Sequence, residues 1–288
     1  MQAAPLRGGY EVVTLSEAQL ESFVSQPQIE FAEMPKRLYF QVDQGAEAGC
    51  IRSVQREMNG EAGLSGEGVL IGVVDSGVDY RHPDFRREDG TSRILKLWDQ
   101  SAPEEKGRPP EGYFLGAEYD GEEINRALEL PEEEGSLLVP QRDLSGHGTA
   151  VLGIAAGNGR ASGGVYRGVA YKSDMIVVKL GIPRENSFPR TTELMQGVDY
   201  LVRQALAMGK PMAINLSFGN NYGSHRGDSL LETYLSNVSD VGRTVICTGT
   251  GNNGSDSLHT QGRLGQGETA EIEFSVSAYE SVLNVQLW

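Results

Sequence analysis

The chain has 288 residues and a formal net charge of -15, enough length for one large α/β domain plus a smaller piece. That charge argues against a partner that needs a basic face, nucleic acid or an anionic membrane surface. No run of about 18 apolar residues is present, so no segment of it reads as a membrane span.

The first stretch with a clear pattern is Tyr10–Thr14, which reads as a strand. Ser16 with Gln19 forms a capping box for a helix through about Val24. Ile29–Phe31 and Arg37–Phe40 look extended, with Pro35 between them. Tyr10–Phe40 is therefore expected as a small βαβ-like unit, too short to bury a core alone. Gln41–Gly68 is a connector rich in Gly and Glu, with one apolar patch at Ile51–Val54. Val69–Asp79, VLIGVVDSGVD, then begins with a short apolar run of the kind that forms a fully buried parallel strand. Asp75 stands where that strand stops. His82-Pro83-Asp84 is a turn, because proline pushes the preceding residue out of helical geometry. Arg93–Trp98 reads as a strand. Asp99–Pro140 is a long acidic excursion with one helix at Gly121–Leu130, expected as a solvated surface flap.

Beyond it, strand and helix signals alternate. A helix of small residues starts near His147, Asp174–Leu180 is a buried strand, and Thr191–Met208 has helical apolar spacing. Pro211–Phe218 is a strand, Ser229 with Glu232 caps a helix to about Val238, and Arg243–Thr250 is a strand. The alternation predicts an α/β fold, a mostly parallel sheet with helices on both faces. After Leu264, Glu271–Ser277 alternates with period two and Ser281–Trp288 has strand-like composition, so a separate β domain is expected to begin there. Of the two cysteines, Cys50 and Cys247, the second lies in an apolar run and is expected as a buried free thiol. Met1–Gly9 lacks the basic-then-apolar order of a signal peptide.

Asp75 and His147 are the candidate chemistry. A carboxylate at the carboxyl end of a parallel strand is either a structural cap or a functional group. A histidine titrates near neutral pH and can take a proton from a hydroxyl. Asp then His, with a serine later, is the chain order of the subtilisin triad. No His, Cys or acidic cluster has zinc spacing, so no metal ligands and no cofactor are assigned, while the acidic excursion has no regular calcium-ligand spacing and leaves calcium open.

Four motifs resemble those of the subtilase family. Asp75-Ser76-Gly77-Val78 with His82-Pro83-Asp84-Phe85 resembles the aspartate motif, and Gly146-His147-Gly148-Thr149 with Val151 and Gly153 the histidine motif. Asn215-Leu216-Ser217-Phe218-Gly219 resembles the substrate-pairing strand, and Thr250-Gly251-Asn252-Asn253-Gly254 the oxyanion segment. Leu97-Trp98-Asp99-Gln100 and Gly157-Asn158-Gly159-Arg160 are further similar to the clostridial Csp germination-protease group.

The resemblance, over Ile29–Trp288, implies a serine endopeptidase. Asp75 and His147 would belong to its triad and Asn252 would be the oxyanion donor. Ser217, Phe218 and Gly219 would hold a protein or peptide substrate. It also implies a prodomain remnant and connector over 1–48, with a maturation cut within Leu38–Cys50, and a subtilase core over 49–264. The first strands of a jelly-roll insertion would occupy 265–288. The partners implied are that prodomain and the substrate, a spore cortex-hydrolase zymogen, at a cytoplasmic or spore-associated location. The chain departs from the family in one respect: no subtilase serine motif occurs in it. Gly90-Thr91-Ser92 precedes His147, and Ser229 already serves as a helix cap. The expectation is an incomplete enzyme, inactive alone, with its serine outside these residues. A non-catalytic pseudoprotease that binds or signals is the alternative.

Overall fold

The computed structural model describes residues 2–35, 39–40, 51–55, 63–103, 108–181, 189–252, 254, 258–276 and 285–286. It opens with strands β1 (Gln2–Pro5) and β2 (Glu11–Thr14), helix α1 (Glu17–Val24), strand β3 (Tyr39–Phe40) and helix α2 (Ile51–Val54). Next come β4 (Leu70–Asp75), β5 (Ile94–Asp99), β6 (Ala117–Asp120), α3 (Gly121–Glu129), α4 (Glu132–Leu138) and α5 (His147–Ala156). The remainder is β7 (Asp174–Lys179), α6 (Thr191–Met208), β8 (Met212–Leu216), β9 (Phe218–Gly219), α7 (Leu230–Ser239) and β10 (Thr244–Thr248).

The main sheet has six strands in the order β10-β8-β4-β7-β5-β6. Its strands run parallel except β6, which returns antiparallel to β5. The most apolar run of the sequence lies at the centre: all six residues of β4 are buried. Its side chains alternate between two cores. Leu70 and Val74 face Leu194, Val198 and Leu201 of α6, while Ile71 and Val73 belong with Val151 and Leu152 of α5. Each such aliphatic side chain contributes roughly 1.5–3 kcal/mol on burial, which is why a strand with no polar face takes the middle. The parallel strands put Asp75, Lys179, Leu216 and Thr248, their last residues, along one rim of the sheet.

Four expectations change. The N-terminal unit is not βαβ: β2 pairs antiparallel with β1, a strand that the sequence reading missed, and α1 follows. The hairpin gains its core by docking on α6 and α7. Leu6 is buried there, Tyr10 packs edge-on against Tyr234, and the Arg7 backbone N–H donates to Asp199 at 3.1 Å. The acidic excursion is not a flap. It supplies β6, and Tyr113, Tyr119, Ile124 and Ala127 are buried while the glutamates of α4 face solvent. Cys247 is exposed. It lies on the edge strand β10, where Ile246 packs on the α6–α7 core and Val245 and Cys247 take the opposite face, left 59% exposed at Val245. Glu271–Val276 forms no strand and is exposed, since a period-two segment needs a neighbour to bond. Cys50, and all of Leu38–Cys50 but Tyr39 and Phe40, lie outside the described residues, as does Ser281–Trp288 except at 285–286.

Candidate active site

Two close approaches build the site. Asp75 ends β4 with its side chain fully buried, and His147 is the first residue of α5. Asp75 Oδ1 and His147 Nδ1 are 2.7 Å apart. The same oxygen accepts the Ser76 backbone N–H at 2.7 Å, which fixes the carboxylate plane. A neutral imidazole that donates through Nδ1 carries its basic lone pair on Nε2. The approach of helix to strand depends on glycine: a Cβ on Gly148 would lie 2.2 Å from the Gly77 carbonyl oxygen and 3.1 Å from Asp75 Cβ. Gly77 itself has φ +121, and a Cβ there would lie 2.3 Å from Gln141 Nε2. The flanking glycines of both motifs are thus explained by space and backbone angle. Lys179, opposite Asp75 in the register, directs its ammonium to the Arg142 carbonyl at 2.8 Å and to Asp99 at 3.7 Å.

One residue of the site escaped the sequence reading. Asp143 Oδ1 accepts the Ser76 hydroxyl at 2.8 Å and the Gly146 N–H at 3.0 Å. Its Oδ2 accepts the Thr149 N–H at 2.8 Å and the Thr149 hydroxyl at 2.7 Å. Burial pushes the Asp143 carboxyl up, but the bonds from Thr149, Ser76 and Gly146 outweigh it and hold the group below its ordinary value. The signal in the sequence was an acid four positions ahead of a helix start, with Ser145 and Thr149 around that start. It was hidden because the acid sits before the usual cap position.

The other candidates fall as follows. Ser217 lies between β8 and β9, its Oγ accepting from Asn215 Nδ2 at 2.6 Å. The Phe218 side chain is buried in the core. Phe218 and Gly219 form β9, whose backbone is already paired antiparallel with β3, Tyr39 opposite Gly219 and Phe40 opposite Phe218. Asn252 is exposed, just beyond the end of β10. The structure brings Asp75 and His147 into contact. Ser92 is buried and its Oγ accepts the Ile94 N–H at 2.9 Å, while Ser229 caps α7 in a capping box. His82 accepts the Asp84 N–H at 3.2 Å within its turn, and His225 stacks on His259 in exposed loops.

A mostly parallel sheet between two helical layers, with Asp75 and His147 in contact at its carboxyl rim, defines an α/β protein of subtilisin-like architecture. Residues 66–285 match the subtilase family, peptidase S8, and the chain belongs to that family. The serine protease AprX of Bacillus subtilis is 27% identical over 221 residues, 75% of this chain and 39% of that protein. The minor extracellular protease Vpr of the same organism is 25% identical over 225 residues, 78% of this chain and 22% of that protein. The solved structure of the Clostridium perfringens CspB protease is similar with a TM-score of 0.62 at 36% identity, covering 74% of this chain and 41% of that one. The chain thus spans less than half the length of each of these relatives.

Proposed function

We propose that this chain is the acid–base part of a subtilisin-like serine endopeptidase whose nucleophilic serine lies outside residues 1–288. The 2.7 Å contact between Asp75 Oδ1 and His147 Nδ1 carries the reading. His147 would take the serine proton at Nε2, and Asp75 would hold the tautomer and stabilise the imidazolium that forms. Asn252, beyond β10, would donate to the oxyanion. The substrate would be a protein segment held extended on the backbone of Ser217–Gly219 by strand addition. The antiparallel strand that β9 already accepts supports that mode. The likeness to the Csp group extends the proposal to processing of a spore cortex-hydrolase zymogen, with residues up to about 48 as a prodomain remnant.

The test is a chromogenic-peptide assay on three proteins: residues 1–288, any gene product that continues beyond them to a serine motif, and that product with His147→Ala. Turnover is expected only from the second. Turnover by residues 1–288 that a serine-directed inhibitor abolishes would reveal an overlooked nucleophile, with Ser92 and Ser229 the first to replace. A folded longer product with an intact serine and no turnover would favour the pseudoprotease, a reading that the missing serine motif keeps in play.

A further inference from the structure

We infer that Asp143 is the positioning residue that holds His147 at bonding distance from Asp75, acting through the Ser76 hydroxyl. The inference rests on the Asp75–His147 reading above and deepens it. Asp75 and His147 belong to elements with no shared ladder: one ends a central strand, the other begins a helix laid across the sheet. Packing of α5 through Val151 and Leu152 fixes its distance from the sheet. It does not by itself fix how far the helix start slides along β4. A polar tie does.

Ser76 follows Asp75 directly, and its Oγ accepts the Gly148 N–H at 2.9 Å. Ser145 Oγ lies 2.8 Å from Ser76 Oγ and accepts the His147 N–H at 3.1 Å. The residues on both sides of His147 are therefore fastened to the residue after Asp75. The tie has a direction. A hydroxyl has one proton and two lone pairs, so Ser76 can accept from Gly148 only while its own proton points elsewhere. Asp143 Oδ1, 2.8 Å away, takes that proton. An ionised carboxylate cannot donate, so the polarity of the network is set at Asp143. The same carboxylate caps α5 through Gly146 and Thr149, and its charge faces the positive end of the helix. Its Oδ1 thus joins the strand end at Ser76 to the helix cap at Gly146, and its Oδ2 holds the first turn at Thr149.

An asparagine at 143 keeps the shape and breaks the polarity, because its amide nitrogen must face N–H or O–H donors on one side. Ser76→Ala removes the tie while leaving the caps at Gly146 and Thr149 in place. Ser76→Thr restores a hydroxyl. The readout is the far-downfield Nδ1 proton of His147 in the folded chain with ¹⁵N-labelled histidine. Four histidines keep the spectrum small, and His147→Gln assigns the signal. Wild type should show a slowly exchanging signal that Asp75→Asn removes. Asp143→Asn and Ser76→Ala should lose it or exchange it about tenfold faster, the scale of one charge-assisted hydrogen bond. Ser76→Thr should keep it. If Asp143→Asn fails to fold, Ser76→Ala decides alone. An unchanged signal in folded Ser76→Ala, or in folded Asp143→Asn, overturns the inference. A wild-type spectrum with no Asp75-dependent signal instead overturns the Asp75–His147 pairing, and the positioning role falls with it.

Discussion

Arg93 offers the sharpest test of what holds the two motif-bearing segments together. It precedes β5 and is only 5% exposed. Its guanidinium donates to the Ser173 carbonyl from Nε at 3.0 Å and Nη2 at 2.6 Å, and from Nη1 to Ala156 at 2.8 Å and Asp84 at 3.1 Å. Ala156 ends α5, the helix that begins at His147, and Asp84 lies in the turn after β4. Burial pushes the Arg93 guanidinium down to about 10, and the nearby Asp174 offsets part of that. The Asp84 carbonyl has a second donor in the Asn158 N–H. The acceptors most dependent on Arg93 are thus Ala156 and Ser173, both buried. Two stranded carbonyls cost about 1–3 kcal/mol each, and water entering the vacated space recovers part of that. Arg93→Ala should therefore lose about 2–5 kcal/mol in urea unfolding followed by circular dichroism, a large fraction of a domain's usual stability. Arg93→Lys keeps the charge without the planar fork and should fall between the two. A loss below about 1 kcal/mol in Arg93→Ala would mean that the guanidinium is incidental to the junction.

Other substitutions probe other parts of the fold. Gly148→Ala places a Cβ 2.2 Å from the Gly77 carbonyl oxygen, so its melting temperature should drop sharply, and wild-type melting would refute the close approach. Leu152→Ala empties a fully buried position under α5 and should cost about 2–5 kcal/mol in the same urea assay. Asp199, fully buried, accepts the Arg7 N–H and the Tyr113 hydroxyl at 2.8 Å, and forms an ion pair with Arg203 at 2.6 Å. Asp199→Ala should destabilise by about 3–5 kcal/mol, and limited proteolysis should then cut the hairpin of residues 2–14 sooner than in wild type. The Asp143 carboxyl lies below its ordinary value of 3.8 in the folded chain. Its contribution is therefore complete above 3.8 and is lost as pH falls through the lower folded value. Asp143→Asn should flatten that acid limb of stability, and an unchanged limb would show that the carboxylate is not held ionised.

The core sheet was legible because its strands obey a local rule: short apolar runs bounded by turn residues. The helix at Thr191–Met208 and the capping boxes at Ser16 and Ser229 were read correctly because spacing and caps are local too. The β1 strand was missed because Gln2–Pro5 has weak strand chemistry and forms only by pairing with β2. The acidic excursion misled because charge counts averaged over Asp99–Pro140 conceal a few inward residues such as Ile124 and Tyr119. Cys247 misled because an apolar run does not say whether it is central or at an edge. Asp75 and His147 stood out through the glycines around them. Asp143 did not, since its role depends on Ser76, distant in sequence and adjacent only once the chain has folded.

The position of β4 also sets a schedule. It is the first strand of the main sheet to be synthesised, and it ends up in the middle, between β7 and β8. Its last partner, β8, leaves the ribosome roughly 140 residues after it, which at 5–20 residues per second is on the order of ten seconds. Until β7 emerges both edges of the apolar Leu70–Val74 segment are unpaired, and the edge that β8 takes stays open for the whole interval. Non-local parallel pairing of this kind folds slowly and leaves sticky intermediates. The chain's yield in a cell should thus depend on whatever shields one six-residue strand while the rest is made.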